Sequence, residues 1–183
     1  QATPWAVMVA LATQLLHKPV KMAMHRMDDM RMTGKRHPYA ADFKIGLSKD
    51  LKILAYEVTH FQNAGAAADL SPAVMERTLF HSTNAYYVPN VSAKAYSCKT
   101  NLPPNTAFRG FGGPQGKFVI EAAIVKAAES LGISPATIQK KNLVVDGNEL
   151  SYGQILQQTN AHASWDACMT AYDYETQKQR VAD

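Results

Sequence analysis

One run constrains this chain more than any other: Thr106-Ala107-Phe108-Arg109-Gly110-Phe111-Gly112-Gly113-Pro114-Gln115-Gly116. Gly110, Gly112 and Gly113 crowd into four positions. Glycine reaches positive φ freely and lets backbone approach a ligand. Pro114 then opens the longest apolar-periodic segment, through Val119, Ala122, Ala123 and Ala127 to Leu131, and Gly132 stops it. The loop therefore feeds a helix N-terminus, where free amides and the dipole favour an anion. Arg109 adds a positive charge. Phe111, between two glycines, needs a stacking partner or a pocket. Two readings stand: a site for a planar, anionic or phosphate-bearing ligand, or a tight turn whose Phe111 fills the core.

Strand signals precede this loop. Lys18–Met24 is a plausible strand, and residues 28–38 read as a turn region with a short extended segment. Phe43, Ile45 and Leu47 alternate at period two, which predicts a strand over Tyr39–Ser48. Lys49-Asp50 is the hairpin turn. Ile53–Phe61 is the next strand; its weak alternation predicts cover on both faces. Ser71 caps a helix with Pro72 in its first turn, running to about Ser82. Val91–Thr100 is a strand. Ser134-Pro135 starts another helix to about Asn142. Trp165, Cys168, Met169 and Tyr172 share one face of a terminal helix. Strands dominate 18–100 and helices 113–183. The expected fold is α+β, a mixed sheet with packed helices, with residues 1–183 forming a single partial domain.

Composition narrows the class. Of the 183 residues, 46% are hydrophobic and 19% charged, so wholesale disorder is excluded. The net charge of +4 is too mild for a dedicated nucleic-acid surface. The apolar run Trp5–Leu16 falls short of the roughly 20 residues a membrane span needs. It lacks a signal peptide's basic start and cleavage site. It reads as a helix buried all round, as inside a larger protein. Both ends read as interior sequence of a longer polypeptide. The two cysteines, Cys98 and Cys168, build neither a disulfide scaffold nor a four-thiolate metal site, and read as buried thiols. The six histidines are scattered singly. Gly116-Lys117 fails as a phosphate loop, because Phe111 and Phe118 replace its first glycine and its hydroxyl residue. Met75-Glu76-Arg77 is a second candidate; its alternative is a solvated or paired helical arginine.

The string Thr100-Asn101-Leu102-Pro103 with Asn105 through Gly116 closely resembles the molybdenum hydroxylases. Lys18-Pro19-Val20, Asp29-Met30, Thr33 through Pro38, Asn63-Ala64-Gly65, Asp69-Leu70-Ser71, Met75-Glu76-Arg77, Leu79-Phe80 and Pro89-Asn90 follow in the family's order. Glu121, Lys141-Asn142-Leu143 and Trp165 continue it, so the resemblance covers essentially the whole chain.

The resemblance implies a fold, a cofactor and roles. It places the chain inside the region that binds a molybdenum–molybdopterin cofactor, with no metal ligand of its own. It implies that Arg77 binds a purine oxygen and stabilises charge developing in the reaction. It implies that Phe111 stacks on the purine, and that the backbone at Arg109 contacts the cofactor. Arg77 and Gly113 follow the purine-hydroxylating pattern rather than that of the sister aldehyde oxidases. Hypoxanthine or xanthine is the expected substrate, and water the oxygen source. The family's general-base glutamates lie in glycine-rich motifs that this chain lacks, so the chain alone is expected to be inactive. Iron–sulfur clusters and FAD are expected elsewhere in the intact enzyme, a cytoplasmic homodimer or heteromer with no membrane or nucleic-acid partner. The alternatives are a molybdenum hydroxylase for an aldehyde or another heterocycle, and a non-enzymatic module for an anionic ligand.

Overall fold

A computed structural model describes residues 3–182. It contains α1 (Thr3–Leu16), α2 (Arg26–Met32), β1 (Tyr39–Leu47), β2 (Ile53–Gly65), α3 (Ser71–Phe80) and β3 (Val91–Lys99). The helices α4 (Gly113–Leu131), α5 (Pro135–Asn142), α6 (Ala161–Ala171) and α7 (Tyr174–Ala182) follow. β1 and β2 form an antiparallel hairpin in which Phe43 pairs with Val58. β3 lies parallel to β2, with Val58 opposite Ala93. A parallel neighbour requires a crossover, and α3 supplies it. The architecture is α+β, with a mixed three-stranded sheet and packed helices, as the sequence predicts.

The core lies between the sheet and α4. Ile120, Ala123, Ile124 and Ala128 of α4 are fully buried beside Tyr56 and Val58 of β2 and Ile138 of α5. Gly132 ends α4 at φ 66°, the left-handed conformation that suits a glycine. Asn142 locks α5 to the hairpin. Its Oδ1 accepts from Ile53 N at 2.8 Å, and its Nδ2 donates to Leu51 O at 2.8 Å and Ile138 O at 2.7 Å. Glu121 accepts from Asn84, Tyr86 and Gln139 at 2.7–2.8 Å, tying the segment after α3 to α4 and α5.

Several expectations are corrected. Residues 18–24 form no strand, and α2 occupies the region read as a turn. Asp28 and Asp29 in the first turn of α2 complement its positive end. β2 is not covered on both faces. Tyr56, Val58, His60, Gln62 and Ala64 are buried, whereas Glu57 and Phe61 face outward. The alternation was masked because polar His60 and Gln62 stand on the inner face. Ser71 does not cap α3: Leu70 is the N-cap, and the Ser71 hydroxyl lies 2.8 Å from His37 Nε2. The terminal helix is two helices, broken at Asp173 (φ 43°). Trp165 packs on the core, but Tyr172 is exposed. Cys168 is exposed and Cys98 half-buried, so neither is the buried thiol expected. Helix α1 forms, with Trp5, Val9 and Ala12 half-buried, yet Val7, Met8, Leu11, Leu15 and Leu16 are each more than half exposed, so the expected burial all round is not found among the described residues. The residues Gln1 and Asp183 lie outside the described residues.

Candidate functional site

The glycine-rich loop is seated directly on α3. Gly112 is left-handed at φ 97°, and a Cβ there would lie 2.1 Å from Val74 O and 2.8 Å from Thr78 Oγ1. A Cβ on Gly116 would lie 2.6 Å from Thr78 O, and one on Gly113 would touch the His81 ring. These glycines therefore serve close helix packing. Thr78 Oγ1 sits 3.1 Å from Gly112 O and closes the contact. The chain neighbours of these two residues are Arg77 and Phe111. One packing contact thus brings together the segments that carry two of the three sequence-identified residues.

Phe111 is half-buried and left-handed at φ 49°. A bulky residue there stores backbone strain, which persists where surrounding structure enforces it. The enforcing bonds are Phe111 N to Phe108 O at 2.8 Å and Gly113 N to Gly110 O at 2.9 Å. Phe111 belongs to no buried cluster, so the core-filling alternative is not what the fold shows. The helix N-terminus differs from expectation: the Gly113 amide is already used, and Pro114 has none. Arg77 is exposed at the last turn of α3. Its charge and that of Lys117, together with burial as the larger cause, hold His81 below the ordinary imidazole range.

A second clamp comes from residues 35–37. Lys35 O accepts from Thr106 N at 3.0 Å. Arg36 Nη2 donates to Arg109 O at 2.7 Å, and the Arg36 guanidinium lies 4.5 Å from the Phe108 ring centroid. His37 O accepts from Gln115 Nε2 at 3.5 Å. His37 itself is buried, and that burial lowers its pKa against the opposing pull of Asp69. A third clamp is Asn63, whose Oδ1 accepts from Thr100 Oγ1 at 2.8 Å and whose carbonyl accepts from Asn105 Nδ2 at 3.0 Å. Arg36, Asn63 and Asn105 thus support the site without having been singled out. Their membership in the shared motifs was the available signal.

Arg109 is exposed, and only its carbonyl is fixed by Arg36. Arg36 Nη1 and Gln115 Oε1 are buried without partners at the same loop. An unpaired donor, an unpaired acceptor and an exposed guanidinium fit a polar cofactor with anionic and ring hydrogen-bonding groups. A concavity of about 420 Å³ runs along Arg36, Tyr39, Pro114, Gln115 and Phe118; Arg77, Arg109 and Phe111 do not line it. Among the described residues no three His, Cys, Asp or Glu side chains cluster to hold a metal ion. No helix among them is long and apolar enough to cross a membrane.

Residues 1–143 match the model of the molybdopterin cofactor-binding domain. The chain belongs to that family. This molybdopterin cofactor-binding domain is 41% identical to mouse (Mus musculus) xanthine dehydrogenase/oxidase over 173 residues, 94% of the chain and 13% of that relative. It is 39% identical to the nicotinate hydroxylase of Emericella nidulans over 158 residues, 86% of the chain and 12% of the relative. Among solved structures, the aldehyde oxidoreductase of Desulfovibrio gigas superposes with a TM-score of 0.82 at 26% identity, covering 93% of this chain and 19% of that one. The domain thus spans about an eighth of the length of the curated relatives it matches. The resemblance to molybdenum hydroxylases read from the sequence holds.

Proposed function

We propose that this domain forms one wall of the purine pocket, and one contact loop for the cofactor, in a xanthine dehydrogenase. The observation that carries the reading is the seating of the Phe111 loop on α3 beside Arg77. It gives an aromatic face and a guanidinium on adjoining segments, the two groups a planar ring bearing oxygens requires. The Arg77 guanidinium binds a purine oxygen of hypoxanthine or xanthine and stabilises negative charge as it develops. Such a donor is worth about 3–4 kcal/mol in comparable sites. Phe111 stacks on the ring, and its strained backbone fixes the ring plane in advance. The loop at Arg109 faces the cofactor, with Arg36 holding the carbonyl in place. When bound, the molybdenum–molybdopterin group supplies the two-electron redox chemistry of hydroxylation. The general base, iron–sulfur clusters and FAD belong to other parts of the intact cytoplasmic enzyme, a homodimer or heteromer, and the domain alone is inactive.

A second reading is hydroxylation of another heterocycle or an aldehyde. The likeness to nicotinate hydroxylase and to aldehyde oxidoreductase favours it. Replacing Arg77 with Ala in the intact enzyme, and comparing substrates on the unmutated enzyme, separates the two. The purine reading expects xanthine turnover to fall by about 10²–10³, as for loss of one charge-stabilising donor. Unchanged turnover would overturn the role of Arg77, and an intact enzyme that turns over an aldehyde or nicotinate but not xanthine would establish the second reading.

A further inference from the structure

A directional chain of hydrogen bonds crosses the interior from the sheet to the glycine loop. Ser97 Oγ on β3 donates to Gln62 Oε1 at 2.8 Å. Gln62 Nε2 on β2 donates to Tyr39 Oη at 2.8 Å. Tyr39 Oη on β1 lies 3.0 Å from Thr78 Oγ1. Thr78 Oγ1 lies 3.1 Å from both Gly112 O and Val74 O. The directions follow from the donor inventory. Gln62 presents an N–H to Tyr39, so the Tyr39 proton points to Thr78. Thr78 accepts it and keeps its own single proton, shared between the Gly112 and Val74 carbonyls at 3.1 Å each. Gln62 and Thr78 are fully buried. The Tyr39 ring is fixed edge-on to buried His60 at 6.2 Å. Burial holds the Tyr39 hydroxyl above its ordinary range, which keeps it a protonated donor.

From this we infer that Tyr39 is a positioning residue for the pocket wall. Its hydroxyl turns the Thr78 proton to the Val74 and Gly112 carbonyls, and so holds the spacing between the α3 segment bearing Arg77 and the turn bearing Phe111. The hydrogen bonds and ring contact of Tyr39 go to Gln62, Thr78 and His60, and it acts on Arg77 and Phe111 through Thr78. The inference rests on the function proposed above only for its consequence in turnover. The relay itself is a property of the fold.

The test uses the intact enzyme with Tyr39→Phe, Thr78→Val and Thr78→Ser. Tyr39→Phe keeps the ring against His60 and removes only the hydroxyl. Hydrogen exchange at the amides of 108–116 is compared with that of 135–142, and KM and kcat for xanthine are measured. Tyr39→Phe and Thr78→Val are each expected to speed exchange in 108–116 about tenfold, as expected for one lost hydrogen bond, and to leave 135–142 unchanged. Their KM for xanthine is expected to rise more than their kcat falls, and Thr78→Ser is expected to restore both readouts. Unchanged exchange in 108–116, or equal acceleration in both segments, overturns the relay. Arg77→Ala, measured alongside, reports on the proposed role of Arg77 alone. Intact xanthine turnover there with locally accelerated exchange in Tyr39→Phe would sink the proposed role of Arg77 and support the relay.

Discussion

Thr78 Oγ1 lies 3.1 Å from the carbonyl oxygen of Gly112, 34 residues further along the chain. That contact exists because Gly112 has no side chain. In Gly112→Ala the new methyl would meet Val74 O at 2.1 Å, in a left-handed backbone that alanine disfavours. The strain alone costs about 1–3 kcal/mol, and displacing α3 adds to it. The expected result is a melting temperature lower by several degrees. Gly147→Ala is the control: it is also left-handed (φ +84°) but has nothing within 4 Å, so it carries strain without collision.

Phe111 predicts the opposite separation. Phe111→Gly relieves a left-handed backbone (φ 49°) and loses a half-buried ring. The two changes offset, and stability is expected to move by no more than about 1 kcal/mol. Purine kcat/KM in the intact enzyme is expected to fall at least tenfold. Paired thermal melts and steady-state kinetics check this; a large loss of stability would show that the ring belongs to the core.

Asn142→Ala removes three hydrogen bonds, two of them buried, and strands the Ile53 amide. Each unsatisfied buried group costs about 1–3 kcal/mol. A loss of several kcal/mol is expected, read as a lower urea midpoint.

His60 is buried, and desolvation lowers its pKa to about 4. Its depressed value makes the folded state bind fewer protons than the unfolded state between pH 6.5 and 4. Stability is therefore fully present above pH 6.5 and falls as the pH drops toward 4. The slope is at most about 1.4 kcal/mol per pH unit for each such histidine. His37 shifts the same way. Urea midpoints measured from pH 7.5 to 4.5 should decline, and His60→Gln should flatten the decline.

Helix α1 presents Val7, Leu11 and Leu15 to solvent. Contiguous exposed apolar surface drives association. The domain alone is expected to self-associate, and Leu11→Glu with Leu15→Glu is expected to shift it toward monomer, as read by light scattering.

What could be read in advance follows physical lines. The hairpin was legible because Phe43, Ile45 and Leu47 face inward and alternate with outward Asp42, Lys44 and Gly46. Helix α4 was legible because a proline opens it and a glycine closes it. The inner face of β2 was not, because His60 and Gln62 replace apolar residues there to serve hydrogen bonds across the core. The burial of α1 failed for another reason: an all-apolar helix states what it needs and not where its cover lies. At the site, Arg77, Arg109 and Phe111 could be named through the family motifs. The glycines' task could not, since glycine shows only what is permitted. Whether the freed space admits a ligand or another helix depends on α3, which is distant in sequence.

The crossover between β2 and β3 also orders events in time. The β1–β2 hairpin is local and can form early, whereas parallel pairing must first close the loop through α3. The Thr78–Gly112 contact spans 34 residues, about as many as the Val58–Ala93 pairing, so the wall bearing Phe111 is expected to form with the parallel pairing and after the hairpin. Damage to the hairpin should therefore slow the wall's arrival, whereas damage at Gly112 should chiefly hasten its departure.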